Sequence, residues 1–183
     1  LKTKGLGAIR NDGFICGIAV ATDNDLAYFP LRHSDVFIDF KRDEKIWNVL
    51  NERIFQNENI TKVFHNAMYD VCWIRAVTGM KMKGRIVDTM IAASVIDENR
   101  FKYSLDALSK DYLNEEKYKY DLQQKTLEWS GGTVKDPMTN MHKLPASIVK
   151  EYAKQDVNLT YKLWKLFDKK IDEVLYTKDD GEQ

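Results

Sequence analysis

Residues 146–174 read ASIVKEYAKQDVNLTYKLWKLFDKKIDEV. Placed on a helical wheel at about 100° per residue with Val149 at zero, Tyr152, Ala153, Thr160, Leu163, Trp164, Phe167, Ile171 and Val174 fall within about 60° of it. Lys150, Glu151, Lys154, Asn158, Lys162, Lys165, Lys169 and Asp172 fall opposite. The spacing predicts one long amphipathic helix that carries the core on one face. Asp156 breaks the pattern, because it falls at about 340°, inside the apolar stripe. A carboxylate there is desolvated, and leaving it without a partner costs several kcal/mol. Two readings fit: a hydrogen-bonded aspartate that fixes the helix register, or a group that meets a cation. Tyr152, four residues earlier, shares that face.

Working back along the chain, residues 67–77 predict a second helix, capped by Asn66 and ended by Gly79. It is apolar nearly all round and is expected to be buried, with Asp70 set between Trp73, Ile74 and Val77. Asp70 also lies near the helix start, where the dipole favours an anion, so a plain capping role fits it too. Two such carboxylates in one small domain point to a site for a hard divalent cation, and paired metals serve phosphodiester cleavage.

The remaining pattern frames these helices. Phe14–Thr22 and Leu26–Leu31 predict a hairpin turning at Asp23-Asn24-Asp25. Residues 43–57 predict a helix, 61–65 a strand, and 88–96 and 104–113 two further helices, the last with Ser104 as N-cap. Residues 114–144, with Gly131-Gly132 and Pro137, predict a long irregular excursion. The order of elements predicts an α/β fold, a mixed sheet covered by helices. Residues 1–175 form the expected domain and 176–183 a polar tail or linker; the start at Leu1 reads as a chain whose upstream strand is cut away.

Composition excludes several classes. The 183 residues carry 28 Lys plus Arg against 28 Asp plus Glu, so no one-signed field exists to coat duplex DNA. No apolar run approaches the roughly 20 residues that span a bilayer, and no signal peptide is visible. Cys16 and Cys72 read as buried thiols of a reducing compartment. Two Cys and three scattered His build no zinc site, and no Ser or Cys nucleophile has a base in view. His65 reads as a satisfied polar side chain, and His33 and His142 as loop residues. Trp47, Trp73 and Trp164 read as core, whereas Trp129 either stacks on a base or packs under its loop. Asp88 reads as the cap of the helix that follows it, and Asp97, Glu98, Asp106 and Asp111 as solvated.

The segment His65-Asn66-Ala67-Met68-Tyr69-Asp70 resembles the second motif of the DEDD 3′–5′ exonucleases, and Tyr152-Ala153-Lys154-Gln155-Asp156 resembles their third motif in its tyrosine form. Ile86-Val87-Asp88-Thr89-Met90 looks like the intervening Asp-Thr segment, and Ala27–His33 is similar to the hairpin of the proofreading domain of family A DNA polymerases. Trp129–Gly132 and Lys143–Ser147 look most like the phage-type polymerases. The resemblance implies a ribonuclease-H-like mixed sheet flanked by helices, its first strand truncated here. It implies removal of nucleotides from a single-stranded DNA 3′ end with two Mg²⁺ or Mn²⁺, proofreading for a polymerase domain of the same chain, in the cytoplasm of a bacterial or phage-infected cell. By position, Asp156 would ligate the first metal, Asp70 would support the second, Tyr152 would orient the attacking water, Asn66 would bond near the terminal nucleotide, and Leu6 would wedge beside the terminal base.

The first motif departs from the family. Thr3-Lys4-Gly5-Leu6 fits its second half, which puts Lys2 where the family has Glu and the Asp ahead of Leu1. An ammonium there pairs with Asp156 and repels a cation, or else points to solvent. The expectation is weak or no nuclease activity in this chain. Two alternatives remain: a ribonuclease D-like exonuclease acting on RNA, and a catalytically silent domain that binds a 3′ end or supports the polymerase.

Overall fold

The computed structural model describes residues 7–10, 12–116, 119–129 and 137–176. Leu6, Lys2, Gly131-Gly132 and the tail 177–183 lie outside the described residues, as does the side chain of Trp129. The described residues begin with one helical turn, α1 (Gly7–Arg10), followed by the hairpin β1 (Gly17–Ala21) and β2 (Leu26–Pro30). This hairpin is antiparallel, with Ile18 opposite Phe29. Its turn is held by Thr22, whose N–H donates to the Asp25 carbonyl at 2.8 Å. Helix α2 (Phe40–Leu50) starts earlier than the apolar spacing predicts, because Asp39 caps it by accepting from the Arg42 N–H. A π-turn, Asn51–Phe55, extends it.

β3 (Lys62–Phe64) leads into α3 (Ala67–Thr78), and β4 (Ile86–Asp88) leads into α4 (Thr89–Ile96). β3 and β4 pair in parallel, Phe64 beside Asp88. The strands of the expected mixed sheet thus lie, among the described residues, in two pairs, one antiparallel and one parallel. Both pairs pack on α7 (Ala146–Tyr176), the helix that periodicity predicts. α5 (Leu105–Leu108) is capped by Ser104 as expected and continues in a π-turn.

The excursion 114–144 is a correction. It contains a helix, α6 (Lys119–Trp129), and a 3-10 turn, Pro137–Lys143. Leu122 and Thr126, four apart on one face of α6, are buried, and Leu122 forms a small core with Leu144 and Val149. The glycines and Pro137 that make the region look irregular lie beyond the helix. A second correction concerns α3, which is not buried all round: Met68, Tyr69 and Val77 are exposed while Ile74 is buried.

The largest core joins α4, α5 and α7 through Ala93, Leu108, Leu159, Leu163 and Phe167. Removing about 150–250 Å² of a side chain such as Phe167 from water is the main favourable term in holding α7 in place. The hairpin and α2 share another core around Leu50, Phe55 and Ile74, with Trp47 against it. Gly13 lies under Trp73, where a Cβ would stand 2.7 Å from the ring. Cys16 and Cys72 are free and half-buried, and burial pushes the Cys16 thiol up. No helix among the described residues is long and apolar enough to cross a membrane.

Candidate active site

The parallel register sets Asp88 at the end of β4 beside Phe64, three residues before the chain enters α3. From there its carboxylate accepts three backbone N–H groups: Asn66 at 2.9 Å, Ala67 at 2.8 Å and Met90 at 2.9 Å. It therefore caps α3 and α4 together. Asn66 stands at the N-cap position of α3, but in the left-handed conformation (φ 64) and with no side-chain capping bond, because Asp88 already takes the N–H groups at that end. Asn66 is exposed. Thr89, fully buried, donates its hydroxyl to the Phe64 carbonyl at 3.1 Å. Having spent that proton, Thr89 Oγ1 accepts at 2.9 Å from His65 Nδ1, which is thus a satisfied polar group as expected.

Asp70 occupies the first turn of α3 and is half-buried. Its pKa is pushed up to about 6, first by burial, then by the charges of Asp88 and Asp156, against the opposing pull of its own backbone N–H. The fold has therefore drawn carboxylates from α3, β4 and α7 into one electrostatic neighbourhood. Asp156 Oδ1 is buried on α7. Tyr152, one turn earlier, packs against the Leu122, Leu144 and Val149 core. The charge of Asp156 reaches Asp70; Leu6 and Lys2 lie outside the described residues.

Mutually repelling, desolvated carboxylates are the donor chemistry of a site for a hard cation. They fit Mg²⁺ or Mn²⁺ in charge and atom type. They do not complete a centre, since no three ligating side chains among the described residues converge on one ion position.

Several contacts that hold this arrangement were not visible in the pattern. His33, expected in an open loop, is 6% exposed. Its Nδ1 meets the Leu144 carbonyl at 3.1 Å, so Nδ1 carries the proton, and Nε2 accepts from the Tyr28 hydroxyl. The Tyr28 ring lies where a Cβ on Gly17 would be. Asp35 accepts the Ala146 N–H at 2.8 Å and so caps the entry of α7. Asp43, buried on α2, is paired with Arg32 and Arg42. Lys62 is 4% exposed, and its ammonium donates to the carbonyls of Asn57 and Lys83. A polar residue type gives no sign of such burial until its partner is known.

The sequence profile of the 3′–5′ exonuclease family matches residues 3–172. DNA polymerase DpoZ of Salmonella phage PMBT28 is 31% identical over 176 residues, which are 93% of this chain and 26% of the polymerase. DpoZ of Acinetobacter phage SH-Ab 15497 is 32% identical over 140 residues, 75% of this chain and 22% of the polymerase. The chain thus spans about a quarter of the length of these polymerases. NrnC of Brucella melitensis with bound Mg²⁺ superposes with a TM-score of 0.64 at 15% identity, over 96% of this chain and 72% of NrnC, which shows a common fold. That fold is ribonuclease-H-like, and the matched span 3–172 includes the Asn66–Asp70 and Tyr152–Asp156 segments, so the chain belongs to the 3′–5′ exonuclease family of A-type DNA polymerases.

Proposed function

We propose that the chain removes nucleotides one at a time from the 3′ end of single-stranded DNA, as the proofreading part of a DNA polymerase in a phage-infected bacterial cell. The observation that carries this reading is the match of residues 3–172 to the 3′–5′ exonuclease family, beside which Asp70 stands half-buried where the charges of Asp88 and Asp156 act on it. A pocket that gathers negative charge against its own solvation is poised for a cation.

In this reading Asp70 and Asp156 would hold Mg²⁺ or Mn²⁺, which would supply Lewis-acid activation for the attack and screen charge on the leaving oxygen. Tyr152 orients the attacking water through its hydroxyl. Water oxygen bonds to phosphorus, the bond to the 3′ oxygen breaks, and that oxygen takes up a proton. The products are a strand one nucleotide shorter and a nucleoside 5′-monophosphate. Asn66, with its amide uncommitted to capping, hydrogen-bonds near the terminal nucleotide. Leu6 wedges beside the terminal base, a stacking role suited to single strands.

Lys2 stands where the family has Glu. An ammonium in place of a ligand both removes a donor and repels the cation, so the chain as written has little activity. The test is a 5′-labelled single-stranded DNA, with a matched RNA, incubated with excess Mn²⁺. We expect slow or no shortening by the chain, and a stepwise ladder when Lys2→Glu is combined with an Asp joined ahead of Leu1. EDTA should abolish the ladder. A repaired chain that stays inert overturns the nuclease reading. Rapid shortening by the unrepaired chain overturns the impairment alone. A faster ladder on RNA overturns the DNA assignment.

A further inference from the structure

Helix α7 is anchored at two places. Further along it, Leu159, Leu163 and Phe167 are locked into the core with α4 and α5. Its entry is held by polar side chains of the segment that follows β2. The Asp35 carboxylate accepts the Ala146 N–H at 2.8 Å, and His33 Nδ1 donates to the Leu144 carbonyl at 3.1 Å. Each bond closes a span of 111 positions of sequence.

The segment that supplies these side chains is itself fastened. The N–H groups of Leu31 and Arg32 both donate to the Cys16 carbonyl at 2.9 Å, and the Arg32 guanidinium pairs with buried Asp43 on α2. The buried His33 ring is fixed from its other side by the Tyr28 hydroxyl at Nε2. Across the same joint the rings of Phe14 and His142 meet edge to face, their centroids 5.1 Å apart.

Tyr152 lies less than two turns into α7. Its ring packs against the core of Leu122, Leu144 and Val149, so it touches the cluster built on the residue whose carbonyl His33 holds. Asp156 stands three residues before Leu159, next to the other anchor. The tyrosine and the aspartate of one motif are thus placed by different anchors. The first N–H groups of a helix have no intrahelical acceptor, and an entry without its caps frays. A group that orients a reactant works only over a narrow range of placement, so fraying there acts on the Tyr152 hydroxyl before it acts on Asp156.

We propose that His33 and Asp35 are positioning residues for the reaction: by fixing Leu144 and Ala146 they hold the first turns of α7 so that the Tyr152 hydroxyl stays aligned with the attacking water. The inference rests on the nuclease reading above and, within it, on the role of Tyr152.

Hydrogen exchange of single amides, followed by NMR on the chain as it stands, tests the joint without catalysis. His33→Phe removes both ring nitrogens, whereas His33→Asn keeps a donor where Nδ1 stands; Asp35→Ala removes the acceptor at the α7 entry, whereas Asp35→Asn keeps an oxygen there. His33→Phe and Asp35→Ala should speed exchange at residues 150–153 about five- to tenfold and leave residues 163–167 within about twofold of the parent. The two asparagine variants should stay near the parent. Asp35 is exposed, so Asp35→Ala gives the answer even where His33→Phe fails to fold. In the chain repaired at its first motif, His33→Phe and Asp35→Ala should lower kcat about fivefold with KM little changed, and that loss should vanish in a Tyr152→Phe background, where the hydroxyl they act through is gone. Unchanged exchange at 150–153, exchange that rises equally along all of α7, or a kcat loss that persists in full in Tyr152→Phe overturns the positioning role and leaves the nuclease reading standing. A repaired chain that stays inert overturns both.

Discussion

The carboxylate of Asp88 accepts the backbone N–H of Ala67 at 2.8 Å, across 21 positions of sequence. With its bonds to Asn66 and Met90, one side chain satisfies donors at the starts of two helices. Those N–H groups have no intrahelical acceptor and depend on a cap. Asp88→Ala should therefore lower stability by about 2–3 kcal/mol in urea unfolding. Asp88→Asn should cost about 1 kcal/mol, since an amide oxygen can still take the two donors that now share Oδ1. A loss in Asp88→Ala no larger than in Asp88→Asn would show that water replaces the cap.

Asp70 makes the metal-free chain sensitive to alkali. Its pKa rises on folding from 3.8 to about 6, so the folded state prefers the protonated acid. The stability this confers is complete below pH 3.8 and is lost as pH climbs through about 6. The shift corresponds to about 3 kcal/mol. Asp70→Asn should remove that slope and raise the melting temperature at pH 8. Mn²⁺ should raise the melting temperature of the parent more at pH 8 than at pH 5, because the cation favours the ionised form. A parent and an Asp70→Asn variant with the same pH profile would sink this account of the pocket.

His33 acts with the opposite sign. Burial holds its pKa below the ordinary value of 6.5, although the Leu144 carbonyl and the charge of Asp35 pull it up; His142 adds to the depression. Tyr28, which donates to His33 Nε2, has its own pKa pushed up by burial and stays neutral. The folded state prefers neutral His33, so its contribution is present above pH 6.5 and declines as pH falls. An Asp70→Asn background should expose this acid slope, and adding His33→Gln should flatten it. His33→Ala should cost about 2–3 kcal/mol, as a buried carbonyl and a hydroxyl lose their partner.

The two helices that carry the site were legible because a period of 3.6 is written in their apolar residues, and Asp70 and Asp156 stood out as charges inside those stripes. Asn66 shows where that reading stops. Local preference makes it a capping side chain, but the acceptor that wins is Asp88, 22 residues on, brought there by parallel pairing of β3 and β4. Helix α6 was hidden for another reason: among its described side chains the buried ones are a leucine and a threonine, and the threonine meets its polar need by donating to the Leu122 carbonyl at 2.7 Å. Lys62 and His33 are buried for the same kind of reason, each with carbonyl acceptors contributed by distant segments.

Asp156 and Tyr152 should separate when each is altered in the chain repaired at its first motif. Asp156→Asn keeps the shape of the side chain and removes the charge that a divalent cation needs, so the Mn²⁺-dependent rate should fall about a thousandfold or more. Tyr152→Phe keeps the ring in its packing against Leu122, Leu144 and Val149 and removes one hydroxyl. A single orienting hydrogen bond is worth about 1–1.5 kcal/mol, or about tenfold in rate. Both losses should appear in kcat with KM little changed, since neither group is assigned to hold the strand. Single-turnover shortening of a 5′-labelled oligonucleotide over a range of enzyme concentrations gives both parameters. A Tyr152→Phe loss as large as that of Asp156→Asn would mean that the phenol does more than orient water. A Tyr152→Phe loss confined to KM would move the phenol from the chemistry to the holding of the strand.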